Sequence, residues 1–315
     1  MLSVIIPAYN EEAILPKTVS VIGNLLTQKR IPYELIFVDD ASRDRTWALI
    51  QEHAVTNPQI RGVHFSRNFG KEAAIMAGLT EAEGDCCVVI DCDLQHPPEK
   101  IPEMYALWQQ GFEIVEGRKS NRGKEGVLHS VCAKSFYTLI SSATGIDMSN
   151  ASDFKLLDRS AVNALLNMRE RNTFFRALSS WIGFRSTFVE FEVREREAGV
   201  TKWSPFSLIK YALSNISSFS AVPMQIVTVL GMVMLLSSIV LGSIALGQKF
   251  LGQALEGFTT VILLQLFSSS VIMISLGIIG YYIARIYEEI KGRPRYIIAS
   301  RVGSKKNEAT VCESI

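Results

Sequence analysis

The sequence has almost no net charge. Its 315 residues carry 32 Lys+Arg against 31 Asp+Glu, a formal +1. A nucleic-acid binder draws affinity from neutralised phosphates and needs a basic excess, so that class is excluded. Cysteine is scarce: Cys86, Cys87, Cys92, Cys132 and Cys312 show no metal-ligand spacing. In a cytoplasmic chain they are expected as reduced, apolar filler. The sequence has no Walker A loop and no G-x-G-x-x-G, so phosphate recognition does not use those loops. No signal-peptide pattern is present, because Met1 leads straight into Leu2–Ile6 and Pro7 without a basic n-region. Apolar residues are not lacking. They make up 48% of the chain, which excludes wholesale disorder.

Charge is also missing locally. No charged residue occurs from Pro223 to Gly247, nor from Phe258 to Ala284. Each run exceeds the roughly 20 residues that cross a bilayer core, so a two-helix membrane hairpin is expected. The intervening loop carries only Lys249 and Glu256. After the second run come Arg285, Lys291, Arg293, Arg295, Arg301, Lys305 and Lys306. The positive-inside rule then puts both termini in the cytoplasm, as in a multi-pass inner-membrane protein. The expected plan is a catalytic domain over 1–200, an interfacial helix over 201–222, a hairpin over 223–284 and a basic tail over 285–315. Two-span hairpins pack more securely in an assembly, which makes a homo-oligomer an open expectation.

The first 120 residues alternate between strand and helix patterns. Strands are expected at Leu2–Ile6, Tyr33–Val38, Ile60–Phe65, Cys86–Ile90 and Glu113–Glu116. Helices are expected at Glu12–Thr27, Asp44–Ala54, Lys71–Glu83 and Pro98–Gln110. Such alternation predicts an α/β fold with a mostly parallel sheet and helices on both faces. Ligands of open α/β sheets bind beyond the carboxyl ends of the strands. Those ends hold Pro7-Ala8-Tyr9-Asn10-Glu11, Asp39-Asp40, Ser66 to Lys71, and Asp91-Cys92-Asp93-Leu94-Gln95-His96. Two acidic pairs at strand ends repel, which points to chemistry rather than to sheet structure. Asp91 and Asp93 after a buried strand suit Mg²⁺ or Mn²⁺, with Gln95 as a further oxygen donor. The four histidines lack ligand spacing and are expected at the surface or behind the site.

Several motifs carry a resemblance: P-A-Y-N-E-E at 7–12, V-D-D-A-S at 38–42, S-R-N-F-G-K-E at 66–72, D-C-D-L-Q-H-P-P at 91–98 and S-D-F-K-L-L-D-R at 152–159. Together they resemble the family 2 inverting glycosyltransferases, in the branch that uses polyprenyl phosphates. The resemblance implies a GT-A-like nucleotide-binding sheet. It implies transfer of a hexose, with UDP-glucose the leading donor, to undecaprenyl phosphate. Pro7, Tyr9, Glu11 and Asp39 would line the nucleotide, Asp39 accepting from a base N–H. Asp91, Asp93 and Gln95 would hold the metal and diphosphate. Arg67, Asn68 and Lys71 would meet the sugar or diphosphate, and Asp153 would stand at the reacting centre. Two departures are Ala41, where the family has Gly, and Cys92 inside D-x-D. The first is expected to alter a turn.

An acceptor phosphate at a membrane needs basic groups. Arg118, Arg122, Lys134, Arg194, Arg196 and Lys202 are the candidates. Stripes at Leu128–Ala143 and Phe206–Phe219 have helical spacing, which suits helices lying on the bilayer or packed on the sheet. The other readings are the same chemistry with UDP-GlcNAc, a formylated aminoarabinose donor or GDP-mannose, and a non-catalytic scaffold or flippase component.

Overall fold

The computed structural model describes residues 1–120, 152–168, 170, 174–192, 222–251 and 257–303. The expected interfacial stripes, and Arg122, Lys134, Arg194, Arg196 and Lys202, lie outside the described residues. Two compact units divide the chain. One joins residues 1–204 to 293–315, and the other is 205–292.

The first unit is built on an eight-stranded sheet. Its strands are β1 (Leu2–Ala8), β2 (Tyr33–Asp39), β3 (Ile60–Phe65), β4 (Cys86–Val89), β5 (Ile114–Lys119), β6 (Lys155–Asp158), β7 (Ser186–Phe191) and β8 (Ile298–Val302). Their order is β7-β5-β6-β4-β1-β2-β3-β8. β1 pairs in parallel with β2 and β4, β2 with β3, and β5 with β7. β6 runs antiparallel to β4 and β5, and β8 antiparallel to β3. The expected mostly parallel α/β sheet is therefore present. β1, β2 and β4 are buried along nearly their whole length, which is why they read as continuous apolar runs rather than alternating ones.

Helices α1 (Leu15–Gln28), α2 (Thr46–Thr56), α3 (Lys71–Glu81), α4 (Ile101–Gln109), α5 (Arg159–Asn167) and α6 (Phe175–Trp181) belong to the same unit. Pro16 stands in the first turn of α1, where its missing N–H costs nothing. α3 lies close against β1 because Gly78 has no side chain. A Cβ there would stand 2.2 Å from Ile5 Cγ2. This close seating fixes the N-terminus of α3, and with it Lys71, beside the strand ends.

The sequence pattern missed β8. The segment expected as a basic tail supplies this edge strand. Tyr296 stacks on Phe65 at 5.2 Å, and Arg301 pairs with the buried Glu81 at 3.1 Å. Arg295 also donates to the Met168 carbonyl. Its basic residues are thus partly engaged within the sheet unit.

The second unit contains α7 (Val222–Phe250) and α8 (Phe258–Ile290), at the expected hairpin. Within α8, Phe267–Ile290 is long and apolar enough to cross a membrane. The corresponding apolar stretch among the described residues of α7 is shorter, Val229–Ile244.

Candidate active site

The strand ends form one polar constellation. Asp39 closes β2 and is fully buried. Its carboxylate accepts from the Ser42 hydroxyl and, at 2.5 Å, contacts His64 Nδ1 on β3. Trp47 stacks on that imidazole at 5.0 Å. Asp39 is expected to accept from a nucleobase N–H, and in the structure its carboxylate is engaged by the Ser42 hydroxyl and by His64. The parallel register sets this up, since Asp39 faces His64 across β2 and β3.

Asp40 has a different task from the chemistry expected of an acidic pair. Its carboxylate accepts from the Phe69 N–H at 2.6 Å and the Gly70 N–H at 2.9 Å. It therefore shapes the loop before α3, where Gly70 has a φ of +96°. Burial pushes the Asp40 carboxyl up, and the two N–H donors oppose that. Ala41 adopts a φ of 56°, a left-handed conformation that favours glycine, at a cost of about 1 kcal/mol.

After β4 the chain turns through Asp91, Cys92, Asp93, Leu94 and Gln95. Leu94 has a φ of 55°, and the Gln95 N–H donates to Asp93 Oδ1 at 3.1 Å. Cys92 is buried against Thr18, as its core-facing position predicts. His96 is 7% exposed, the second of the two expected placements, behind the site rather than at the surface. It stacks on Phe154 at 5.4 Å, and its Nδ1 has no hydrogen-bond partner. That Nδ1 is 3.9 Å from Asp91 Oδ2. Burial lowers the His96 pKa, keeping the ring neutral.

Asp91 and Asp153, distant in sequence, are joined by one side chain. Lys71 Nζ lies 2.6 Å from Asp91 Oδ1 and 2.7 Å from Asp153 Oδ2. β6 pairs with β4, which brings the loop carrying Asp153 alongside the loop carrying Asp91. Arg176 on α6 adds a fork to Asp153, with Nε at 2.6 Å from Oδ1 and Nη2 at 2.9 Å from Oδ2. Burial alone would raise the Asp153 carboxyl. Lys71 and Arg176 override it and hold the group well below the usual carboxylate range. Burial would likewise lower Lys71, yet Asp153 and Asp91 raise it, so it stays charged. The sequence pattern does not mark Arg176. Its role arises from tertiary contacts, without a local motif.

Glu72 completes the cluster. It accepts from the Phe175 N–H at 2.9 Å, and burial followed by repulsion from Asp153 pushes its carboxyl up to about 7. The unfolded chain ionises this group nearer 4.5, so its contribution to stability is full below that value and is lost as pH rises through 7. Glu72→Gln removes the loss. Thermal unfolding of both proteins from pH 5 to 8 is expected to show the variant gaining on the wild type, by on the order of 1 kcal/mol at the alkaline end. A constant gap across that range would contradict the assignment.

The remaining predicted residues sit nearby or elsewhere. Pro7, Tyr9 and Glu11 are partly exposed at the β1 end. Arg67 lies over the Phe69 ring at 4.5 Å, and Asn68 donates weakly to the Asp40 carbonyl at 3.4 Å. Arg118 lies over Phe188 at 4.2 Å and 3.6 Å from Glu116.

The donor set fits a hard divalent ion that shares its sphere with substrate phosphates. Asp91 and Asp93 would supply oxygens from one turn, and the unpartnered His96 Nδ1 lies 3.9 Å from Asp91 Oδ2. Among the described residues no three His, Cys, Asp or Glu side chains group to hold an ion by themselves.

The family model for glycosyl transferase family 2 matches residues 3–166. The chain belongs to that family. It is 40% identical over 304 residues to an uncharacterized glycosyltransferase of Synechocystis, covering 96% of each chain. It is 35% identical over 299 residues to the SfII prophage-derived bactoprenol glucosyl transferase of Shigella flexneri, covering 94% of this chain and 97% of that one. This places the glycosyltransferase in the branch that includes the bactoprenol enzymes. A crystal structure of glucosyl-3-phosphoglycerate synthase from Mycobacterium tuberculosis with Mn²⁺, UDP-glucose and phosphoglyceric acid is also similar. Its TM-score is 0.47 at 20% identity, over 69% of this chain and 77% of that one.

Proposed function

We propose that this glycosyltransferase moves glucose from UDP-glucose to undecaprenyl phosphate at the cytoplasmic face of a membrane, with inversion. The observation that carries the reading is the bridging of Asp91 and Asp153 by Lys71, which joins a diphosphate-type turn to a second charged centre. The name of the Shigella relative supports a polyprenyl acceptor and a glucosyl group. In this reading α7 and α8 both span the bilayer, residues 1–200 hold the catalytic machinery, and both termini face the cytoplasm.

Pro7, Tyr9 and Glu11 bind the nucleotide, and Asp39 acts there through His64. Asp91 and Asp93, with Gln95, hold Mg²⁺ or Mn²⁺, which when bound neutralises the departing nucleoside diphosphate. Arg67 and Asn68 line the donor side, and Lys71 stands between the Asp91 turn and Asp153. Arg118, with Arg122, Lys134, Arg194, Arg196 and Lys202, attracts the acceptor anion.

The acceptor's second phosphate pKa is about 6, so the nucleophile arrives ionised. An acceptor oxygen bonds to the anomeric carbon as the bond from that carbon to the β-phosphate oxygen breaks. No proton has to move. Asp153 is accordingly an orienting carboxylate rather than a base, and catalysis rests on positioning and electrostatics.

A donor panel tests this. Purified protein with Mg²⁺ or Mn²⁺ and undecaprenyl phosphate is expected to form a lipid-linked hexose from UDP-glucose faster than from UDP-GlcNAc or GDP-mannose. Faster transfer from another donor would move the sugar assignment. No lipid product from any nucleotide sugar would sink the enzymatic reading.

A further inference from the structure

Asp153 sits under two cations of unequal depth. Its side chain is 6% exposed, whereas Arg176 is 28% and Lys71 40% exposed. The carboxylate is the floor of the cluster, and the cations form the surface that solvent meets. Both carboxylate oxygens are engaged, Oδ1 by Arg176 Nε and Oδ2 by Arg176 Nη2 and Lys71 Nζ. Such a carboxylate orders its cations and is poorly placed to collect a proton.

The order of the contacts gives a direction. Ion pairs link Asp91 to Lys71, Lys71 to Asp153, and Asp153 to Arg176. Lys71 thus touches the turn that carries the D-x-D aspartates, while Arg176 engages Asp153 from α6. α6 is itself pinned, because the buried Lys155 Nζ donates to the Arg176 carbonyl at 3.3 Å and to the Ser179 hydroxyl at 2.8 Å. A planar guanidinium held by a carboxylate on one side suits phosphate oxygens on another, and an ammonium beside it adds a point charge.

We propose that Arg176 and Lys71 form a clamp for the acceptor's phosphate monoester, with Asp153 as the anchor that orients both cations. This rests on the glycosyl-transfer reading above. It adds Arg176, and it assigns Asp153 to positioning Arg176 and Lys71. The donor's diphosphate offers the same oxygen chemistry, so the test separates the two ligands.

The full chain in detergent is titrated calorimetrically with farnesyl phosphate and, separately, with UDP in the presence of Mn²⁺. Arg176→Gln is expected to weaken farnesyl phosphate binding about 10- to 100-fold, the value of a lost charge-assisted contact, and to leave UDP binding unchanged. In turnover the same variant raises the acceptor KM while kcat and the donor KM change little. A purely structural role for Arg176 would not produce that split. If the Gln variant does not fold, Arg176→Lys keeps the charge on Asp153 and is expected to bind farnesyl phosphate several-fold more weakly. Unchanged farnesyl phosphate binding in a folded variant overturns the clamp. Weakened UDP binding with an unchanged acceptor overturns the acceptor assignment and gives the clamp to the donor. Because binding is read without turnover, a protein that transfers no sugar still tests the clamp.

Discussion

Asp91→Ala and Asp93→Ala are each expected to lower glycosyl transfer by about 10³-fold while the protein stays folded. The two side chains are the oxygen donors of the turn after β4, and neither holds the sheet together. Asp91 is tied to Lys71, which keeps Asp153 as a partner when Asp91 is removed. Thermal unfolding should therefore change little, and Mn²⁺ binding followed by electron paramagnetic resonance in the presence of UDP should be lost. Transfer at wild-type rates in either variant would remove the metal assignment. Loss of transfer with intact Mn²⁺ binding would leave these carboxylates a role in orienting substrate alone.

The second large effect concerns stability. Lys155 is fully buried, and its Nζ lies 2.8 Å from Glu116, with the Ser179 and Ser180 hydroxyls at 2.8 and 3.2 Å. Burial pushes the Lys155 ammonium down, with Glu116 opposing that shift. Lys155→Met would leave the buried Glu116 carboxylate only the longer 3.6 Å contact with Arg118 as a counter-charge, costing about 3 kcal/mol. Changing Glu116→Gln together with Lys155→Met is expected to restore most of the loss, because no buried charge then remains and Arg118 is 37% exposed. Chemical denaturation of the wild type, the single variant and the double variant reads this directly. Equal stability of wild type and single variant would refute it. Lys155 also holds α6, so the single variant should loosen Arg176 and weaken acceptor use beyond its effect on stability.

The parallel sheet was legible because each strand is a short buried run followed by a helix-length polar–apolar pattern. Ile60–Phe65 has the expected boundaries, and the other early elements shift by a few residues. The D-x-D turn was legible for the same reason, standing where a buried strand stops. What stayed hidden depends on contacts between distant segments. Arg176 follows Asp153 by 23 positions, and nothing local marks it as that carboxylate's partner. Asp40 reads as half of an acidic pair, yet its loop-shaping bonds reach residues almost thirty positions onward. β8 was hidden because five residues of weak alternation lie among basic residues. Ala41 shows the limit from the other side, since the surrounding turn imposed a backbone conformation that its residue type disfavours.

The late position of β8 imposes an order on synthesis. A chain leaving the ribosome makes β3 early, but its antiparallel partner is made only after both long helices. Until then β3 is an open edge with unpaired backbone groups, a template for wrong pairing. Domains fold from the N-terminus as they emerge, so the nascent sheet must wait for two apolar helices to be placed before it can close. A stalled hairpin would therefore appear as aggregation of the sheet unit, at an edge far along the chain from the stall.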